Sequence, residues 1–162
     1  MQTVVLGLGN LVHGDDGVGV HAIHRLQTEA RIAPSTTLMD GGTHGLNLMP
    51  HLSGCKRLLV IDAIDAGQPP GTLIRLEGED AEKLPGKPSV HQLGFADLMI
   101  GLRLLGETPP EVVVIGVQPK STDWSTELTE PVRNSLEGLV EAVIEQLHSW
   151  TTSSQAQTAP DH

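Results

Sequence analysis

Cysteine occurs once in the 162 residues, at Cys55, so the chain can form neither an intrachain disulfide framework nor a Cys-rich zinc site. Aromatics are nearly as scarce. Phe95, Trp124 and Trp150 are the full set and tyrosine is missing, which argues against a platform for stacking nucleic-acid bases. Basic residues are outnumbered, with 10 Lys and Arg against 20 Asp and Glu, for a formal net charge of −10. A chain of that sign lacks the basic face that a phosphate backbone or an anionic membrane requires. No apolar run approaches the roughly 20 residues of a membrane span. Met1-Gln2-Thr3 leads directly into Val4-Val5-Leu6-Gly7, with neither a basic segment nor a small-residue cleavage site. A cytoplasmic protein without nucleic-acid or membrane partners is expected, and a monomer. The length corresponds to about one domain, placed at 1–150, and the apolar share of 38% is enough for one core.

Apolar runs alternate with helical patterns almost throughout. Thr3 to Leu8, Ser35 to Met39, Arg57 to Ile64, Thr72 to Leu76 and Glu111 to Val117 read as strands, several of them apolar at every position and so buried on both faces. Val18, Ala22, Ile23 and Leu26 predict a helix over 16–29, and Leu46 to Leu52 a short one. Residues 78–88 read as a loop. Ser89-Val90-His91-Gln92 has the form of a capping box, opening a helix that stops near Gly106 and Pro109. Val132, Leu136, Leu139, Val140, Val143 and Leu147 predict a last helix over 130–149, and the polar stretch 151–162 reads as a disordered tail. The alternation predicts a three-layer α/β/α fold with a mostly parallel five-stranded sheet. The link from 64 to 72 is too short for a crossover helix, so the next strand should run antiparallel and the sheet should be mixed.

Ligands of such sheets sit beyond the carboxyl ends of the parallel strands, here just after Leu8, Met39, Ile61 and Val117. Gly7-Leu8-Gly9-Asn10 follows the first strand, but a dinucleotide fingerprint fails twice. Val12 stands where a small residue is needed, and the next acid, Asp40, comes too late. Asp15 and Asp16 open the first helix. Capping and the helix dipole account for one of them, leaving the other for a ligand. Asp62 closes a buried run, where a carboxylate either caps the amides of the next loop or faces the ligand crevice; Asp65 suits the capping role equally well. His91 falls near the positive start of its helix, which disfavours imidazolium and leaves the neutral ring that a transition metal needs. Of the other histidines, His44 lies in a glycine-rich loop at the crevice, His21 and His24 read as exposed helix residues, and His13 has no comparable context. Asp16, Asp62 and His91 thus offer two oxygens and one nitrogen, a donor set that suits a divalent transition metal. Cys55 reads as a small side chain ahead of a strand.

Gly7-Leu8-Gly9-Asn10, Asp15-Asp16-Gly17-Val18-Gly19, Asp40-Gly41-Gly42-Thr43, Val60-Ile61-Asp62-Ala63, Ser89-Val90-His91-Gln92 and Ile115-Gly116-Val117-Gln118-Pro119 follow one another in this order. The ordered set resembles the hydrogenase maturation proteases, from residue 4 to about 147. The resemblance implies an endopeptidase that trims the C-terminal extension from a nickel-loaded large-subunit precursor of a NiFe hydrogenase. It places the metal contacts on Asp16, Asp62 and His91, with the nickel held mainly by the precursor. One departure is Asp16 itself, where many relatives carry the longer Glu. Lacking an obvious Ser or Cys nucleophile, such an enzyme is expected to activate water through a carboxylate or a metal-polarised environment, with Asp16 or Asp62 as the candidate catalytic base. Gly41, Gly42, Thr43 and His44, with Asn10, are expected to shape the substrate groove. The same ligands would serve a non-catalytic nickel-recognition protein or a small metallohydrolase.

Overall fold

The computed structural model describes residues 2–77, 79–82 and 95–157. Strands β1 (Thr3–Leu8), β2 (Thr36–Gly42), β3 (Arg57–Ala63), β4 (Leu73–Glu77) and β5 (Glu111–Val117) form one sheet in the order β2-β1-β3-β5-β4. All neighbours run parallel except β4, which pairs antiparallel with β5 at the edge. The mixed sheet therefore has the form expected from the short link ahead of β4.

The helices are α1 (Val18–Leu26), α2 (Met49–Leu52), α3 (Glu79–Glu82), α4 (Phe95–Leu104) and α5 (Glu130–Gln157), with 3₁₀ turns at Gly14–Gly17 and Gly45–Leu48. Alternate strand residues serve opposite faces. Val4, Leu6, Leu58, Val60 and Val114 pack against α2 and α4, whereas Val5, Leu59, Ile61, Val113 and Ile115 pack against α1 and α5. A strand covered on both faces must be apolar at every position, which explains the continuous runs. Three layers result.

Four boundaries differ from the sequence reading. The helix expected over 16–29 is a 3₁₀ turn followed by α1, with no side-chain cap on either. β2 continues through Asp40-Gly41-Gly42, residues depleted in strands, because the β1 ladder holds them; the register slips at Gly7/Leu8, so that Leu8 opposes Gly42. The loop expected over 78–88 contains α3, whose Ala81 is buried in the core; residues 83–88, like the capping box at 89–92 with His91, lie outside the described residues. The tail expected from 151 is instead helical to Gln157, and 158–162 lie outside the description. There the hydroxyls of Thr151, Thr152 and Ser153 donate to the carbonyls four residues back, so the polar side chains fit into the helix. Among the described residues no helix is long and apolar enough to cross a membrane.

Candidate active site

β1 delivers the chain to the carboxyl edge of the sheet, and Gly9 turns it with φ +125°. That conformation favours glycine, and a Cβ at this position would also collide with the carbonyl of Asp16. The segment then folds back on itself. Asn10 Oδ1 accepts the Val12 amide at 3.0 Å, and Asp16 Oδ2 accepts the Asn10 amide at 2.9 Å. Among the described residues no hydrogen bond reaches Asp16 Oδ1. Gly19 sets the height of α1 over the sheet, since any Cβ there would strike the carbonyl oxygens of Leu8 and Ile61. The Gly14–Gly17 turn consequently packs on β3.

Asp62 stands one residue beyond Ile61, which pairs with Gly7. It is half-buried, and its Oδ1 accepts the amide of Ala63 at 2.8 Å. Asp16 and Asp62 therefore share the β1–β3 boundary, where successive connections leave the sheet in opposite directions and a crevice opens. The third sequence candidate, His91, lies outside the described residues. Among the described residues no three His, Cys, Asp or Glu side chains converge on a possible metal position. The two acids would supply the oxygen half of a mixed oxygen–nitrogen set.

Asp15 is turned toward residues 120–129, which follow β5, and is fully buried. It caps nothing in its own turn. Its Oδ2 accepts the Thr129 hydroxyl at 2.7 Å and the amides of Lys120 and Ser121 at 2.9 and 3.1 Å, and its Oδ1 accepts the Thr129 amide at 2.8 Å. Burial alone would raise its pKa, but these donors outweigh burial and hold the carboxyl below its ordinary range. Gln118 plays a similar part for the loop after β3. Its buried amide oxygen accepts from Ala66 and Gln68 at 2.7 and 3.2 Å, while Nε2 donates to Asp65 at 3.0 Å. Asp65 is thereby engaged in fixing the loop, the capping alternative weighed for this part of the sequence.

Beside Asp16 an open cleft of about 140 Å³ is lined by Gly9, Asn10, Leu11, Val20, Asp40, Gly42, Thr43 and His44. The Gly9 amide donates to the Gly42 carbonyl at 3.0 Å, which joins the two loops. Four of the five expected groove residues line this cleft. Gly41 does not, because its Cβ position faces the side chains of Leu6, Leu48 and Leu8 in the core. Asp40, at the head of the loop expected to shape the groove, joins them, and His24 Nε2 lies 3.1 Å from its Oδ2.

Two further histidines depart from expectation. His21 is half-buried, and its Nε2 is buried with no hydrogen-bond partner among the described residues. Burial, with His24 nearby, lowers its pKa. His13 packs its ring on Trp124, with centroids 4.3 Å apart. Nothing local signals that contact, since 111 residues separate the two. Cys55 is buried, its thiol donates to the Arg57 carbonyl at 3.0 Å, and burial pushes its pKa up, as befits a core side chain.

Residues 20–146 match the family model described as hydrogenase maturation protease. The chain is 40% identical over 152 residues to the hydrogenase expression/formation protein HoxM of Cupriavidus necator, covering 92% of this chain and 75% of that protein. It is 32% identical over 162 residues to the hydrogenase 2 maturation protease of Escherichia coli, covering 99% and 96%. Among solved structures, the hydrogenase maturating endopeptidase HybD of E. coli superposes with a TM-score of 0.85 at 33% identity, covering 92% of this chain and 93% of that one. A family match over most of the chain, and relatives above 30% identity that span nearly all of it, agree with the carboxyl-edge architecture. The chain belongs to the hydrogenase maturation protease family, whose members are peptide-bond hydrolases.

Proposed function

We propose that this chain removes the C-terminal extension of a nickel-loaded NiFe hydrogenase large-subunit precursor. The observation that carries the reading is the placement of Asp16 and Asp62 at one strand boundary, beside an open cleft bordered by strand-end backbone. In an extended substrate the tail lies in this cleft, where Gly9 and Gly42 present backbone without side chains. Asp16 or Asp62 takes a proton from the attacking water, and the same carboxyl returns it to the leaving amine. The Asn10 amide, bound to Asp16 Oδ2, fixes the orientation of that carboxylate.

The nickel is cargo of the precursor, held mainly by its thiolates, and Asp16, Asp62 and His91 complete its contacts. Bound there, the metal anchors the substrate and polarises its surroundings.

Incubation with nickel-loaded and nickel-free precursor, followed by intact-mass measurement, tests the reading. A mass loss in the loaded sample alone is expected. Asp16→Asn and Asp62→Asn should each lower the rate by about 10²–10⁴-fold, as removal of a general base does, and His91→Ala should abolish cleavage of the loaded precursor. Binding with no mass loss would mean recognition without hydrolysis. Equal cleavage of both samples would remove nickel from the mechanism.

A further inference from the structure

We propose that Trp124 is the anchor with which this chain docks on the folded body of its protein substrate, by stacking against an arginine or lysine side chain of that partner. Phe95 and Trp150 are buried, whereas Trp124 is 78% exposed. In a chain with three aromatics, one indole is thus left in solvent at the edge that carries the candidate site.

The frame beneath it is fixed. His13 supports one face of the ring and lies 3.1 Å from the Thr122 carbonyl through Nδ1. The Ser125 amide donates to Val12 at 3.0 Å, and the Gly14 amide donates back to Ser125 at 2.8 Å. Asp15 binds the amides of Lys120, Ser121 and Thr129 from below. Residues 120–129 are therefore stitched to the turn that carries Asp16. A large side chain already held in place loses little freedom on binding, the condition under which aromatic residues dominate interfaces.

Charge indicates what the ring receives. Asp123, Glu127 and Glu130 are exposed along the same segment, against Lys120 alone. An exposed indole carried on a segment with this excess of exposed carboxylates suits a guanidinium or ammonium group, through the ring quadrupole and ion pairing together. Val12, 41% exposed, extends the contact with apolar surface. The cleft lies on the β2 side of Asp16 and the Trp124 platform on the β5 side, so tail and body of one substrate would bracket the two acids.

This inference rests on the reading that the chain cleaves a protein precursor. Steady-state cleavage of nickel-loaded precursor tests it. Trp124→Ala should raise KM about tenfold or more, the usual effect of losing an interface anchor, with kcat at saturation within about twofold of the parent. Trp124→Phe should recover most of the loss, and Asp123→Asn with Glu127→Gln should raise KM and weaken its dependence on salt. An unchanged KM in Trp124→Ala, or a fall in kcat alone, would overturn the anchor while leaving the protease reading intact. A parent that neither binds nor cuts the precursor would overturn both. Circular dichroism melts should match the parent, because the replaced side chain is largely solvated.

Discussion

Asp15 and Asp16 are adjacent in the chain and face opposite tasks. Asp16 is half-exposed at the carboxyl edge, while Asp15 is buried under four donors drawn from residues 120–129. Replacing Asp15 by Asn keeps the shape but turns one oxygen into a donor that faces other donors. Hydrogen bonds to a charged acceptor contribute ~1.5–3 kcal/mol each, so a loss of about 3 kcal/mol is expected in urea unfolding. The pH dependence has a defined sign. The folded carboxyl titrates below its ordinary 3.8, so the folded state binds fewer protons than the unfolded one. This stability is complete above that value and drains away as pH falls through the folded pKa; Asp15→Asn should lack this limb. His21 acts in the same direction at higher pH. Its pKa is lowered from 6.5, so its contribution is complete above 6.5 and is lost on acidification. His21→Leu removes both the titration and the unpartnered Nε2. The variant should therefore keep its unfolding midpoint between pH 7.5 and 5.5, where the parent declines; an equal decline would show that His21 is not the titrating group. The residue types at these positions were legible in the sequence and their division of labour was not. Capping chemistry explains one of two adjacent aspartates without saying which, and the partners of Asp15 lie more than a hundred residues away.

At the scale of elements, apolar period carried most of the information. Strands covered on both faces declare themselves by unbroken Val, Leu and Ile, and α5 by its helical stripe up to Leu147. What escaped was structure imposed by neighbours. Asp40-Gly41-Gly42 has poor strand propensity and is held by β1, and Thr151-Thr152-Ser153 stays helical by bonding its hydroxyls to its own backbone. The close approach of α1 to the sheet was not legible, because nothing in the sequence separates Gly19 as an ordinary residue of the expected helix from Gly19 as a packing surface. Gly19→Ala tests that distinction. In an open helix, Gly to Ala stabilises by up to about 1 kcal/mol. Here the methyl would meet the Leu8 and Ile61 carbonyls, both backbone and neither able to swing away. The expected outcome is a loss of about 1–3 kcal/mol, the range for overpacking. Cleavage should fall more than stability alone explains, because lifting α1 also shifts Asp16 relative to Asp62. A variant as stable as the parent would show that helix and sheet can part without cost.

Across the whole molecule, the sheet is one layer shared by two apolar clusters. Leu59 and Val60 are consecutive residues of β3, yet Leu59 packs with α1 and α5 and Val60 with α2 and α4. Neither cluster can dissolve without uncovering strands that the other needs, and both converge on the β1–β3 boundary where the candidate acids sit. Unfolding should therefore be a single transition seen alike by different probes. The two tryptophans make this measurable. Trp150 is buried in the α1/α5 cluster, with the Arg57 guanidinium 5.8 Å from its ring, whereas Trp124 is exposed and would mask the signal. In a Trp124→Phe background, emission from Trp150 reports on one face and far-ultraviolet ellipticity on the whole fold. Leu59→Ala removes bulk from the cluster that holds Trp150 and should cost about 2–5 kcal/mol. Val60→Ala removes bulk from the opposite face. If the sheet couples the layers, Val60→Ala moves the Trp150 emission midpoint by as much as the ellipticity midpoint, although no atom of the Trp150 cluster has changed. An emission midpoint left in place while ellipticity shifts would mean that the α2/α4 face melts alone, and that the crevice between β1 and β3 is hinged where this structure makes it rigid.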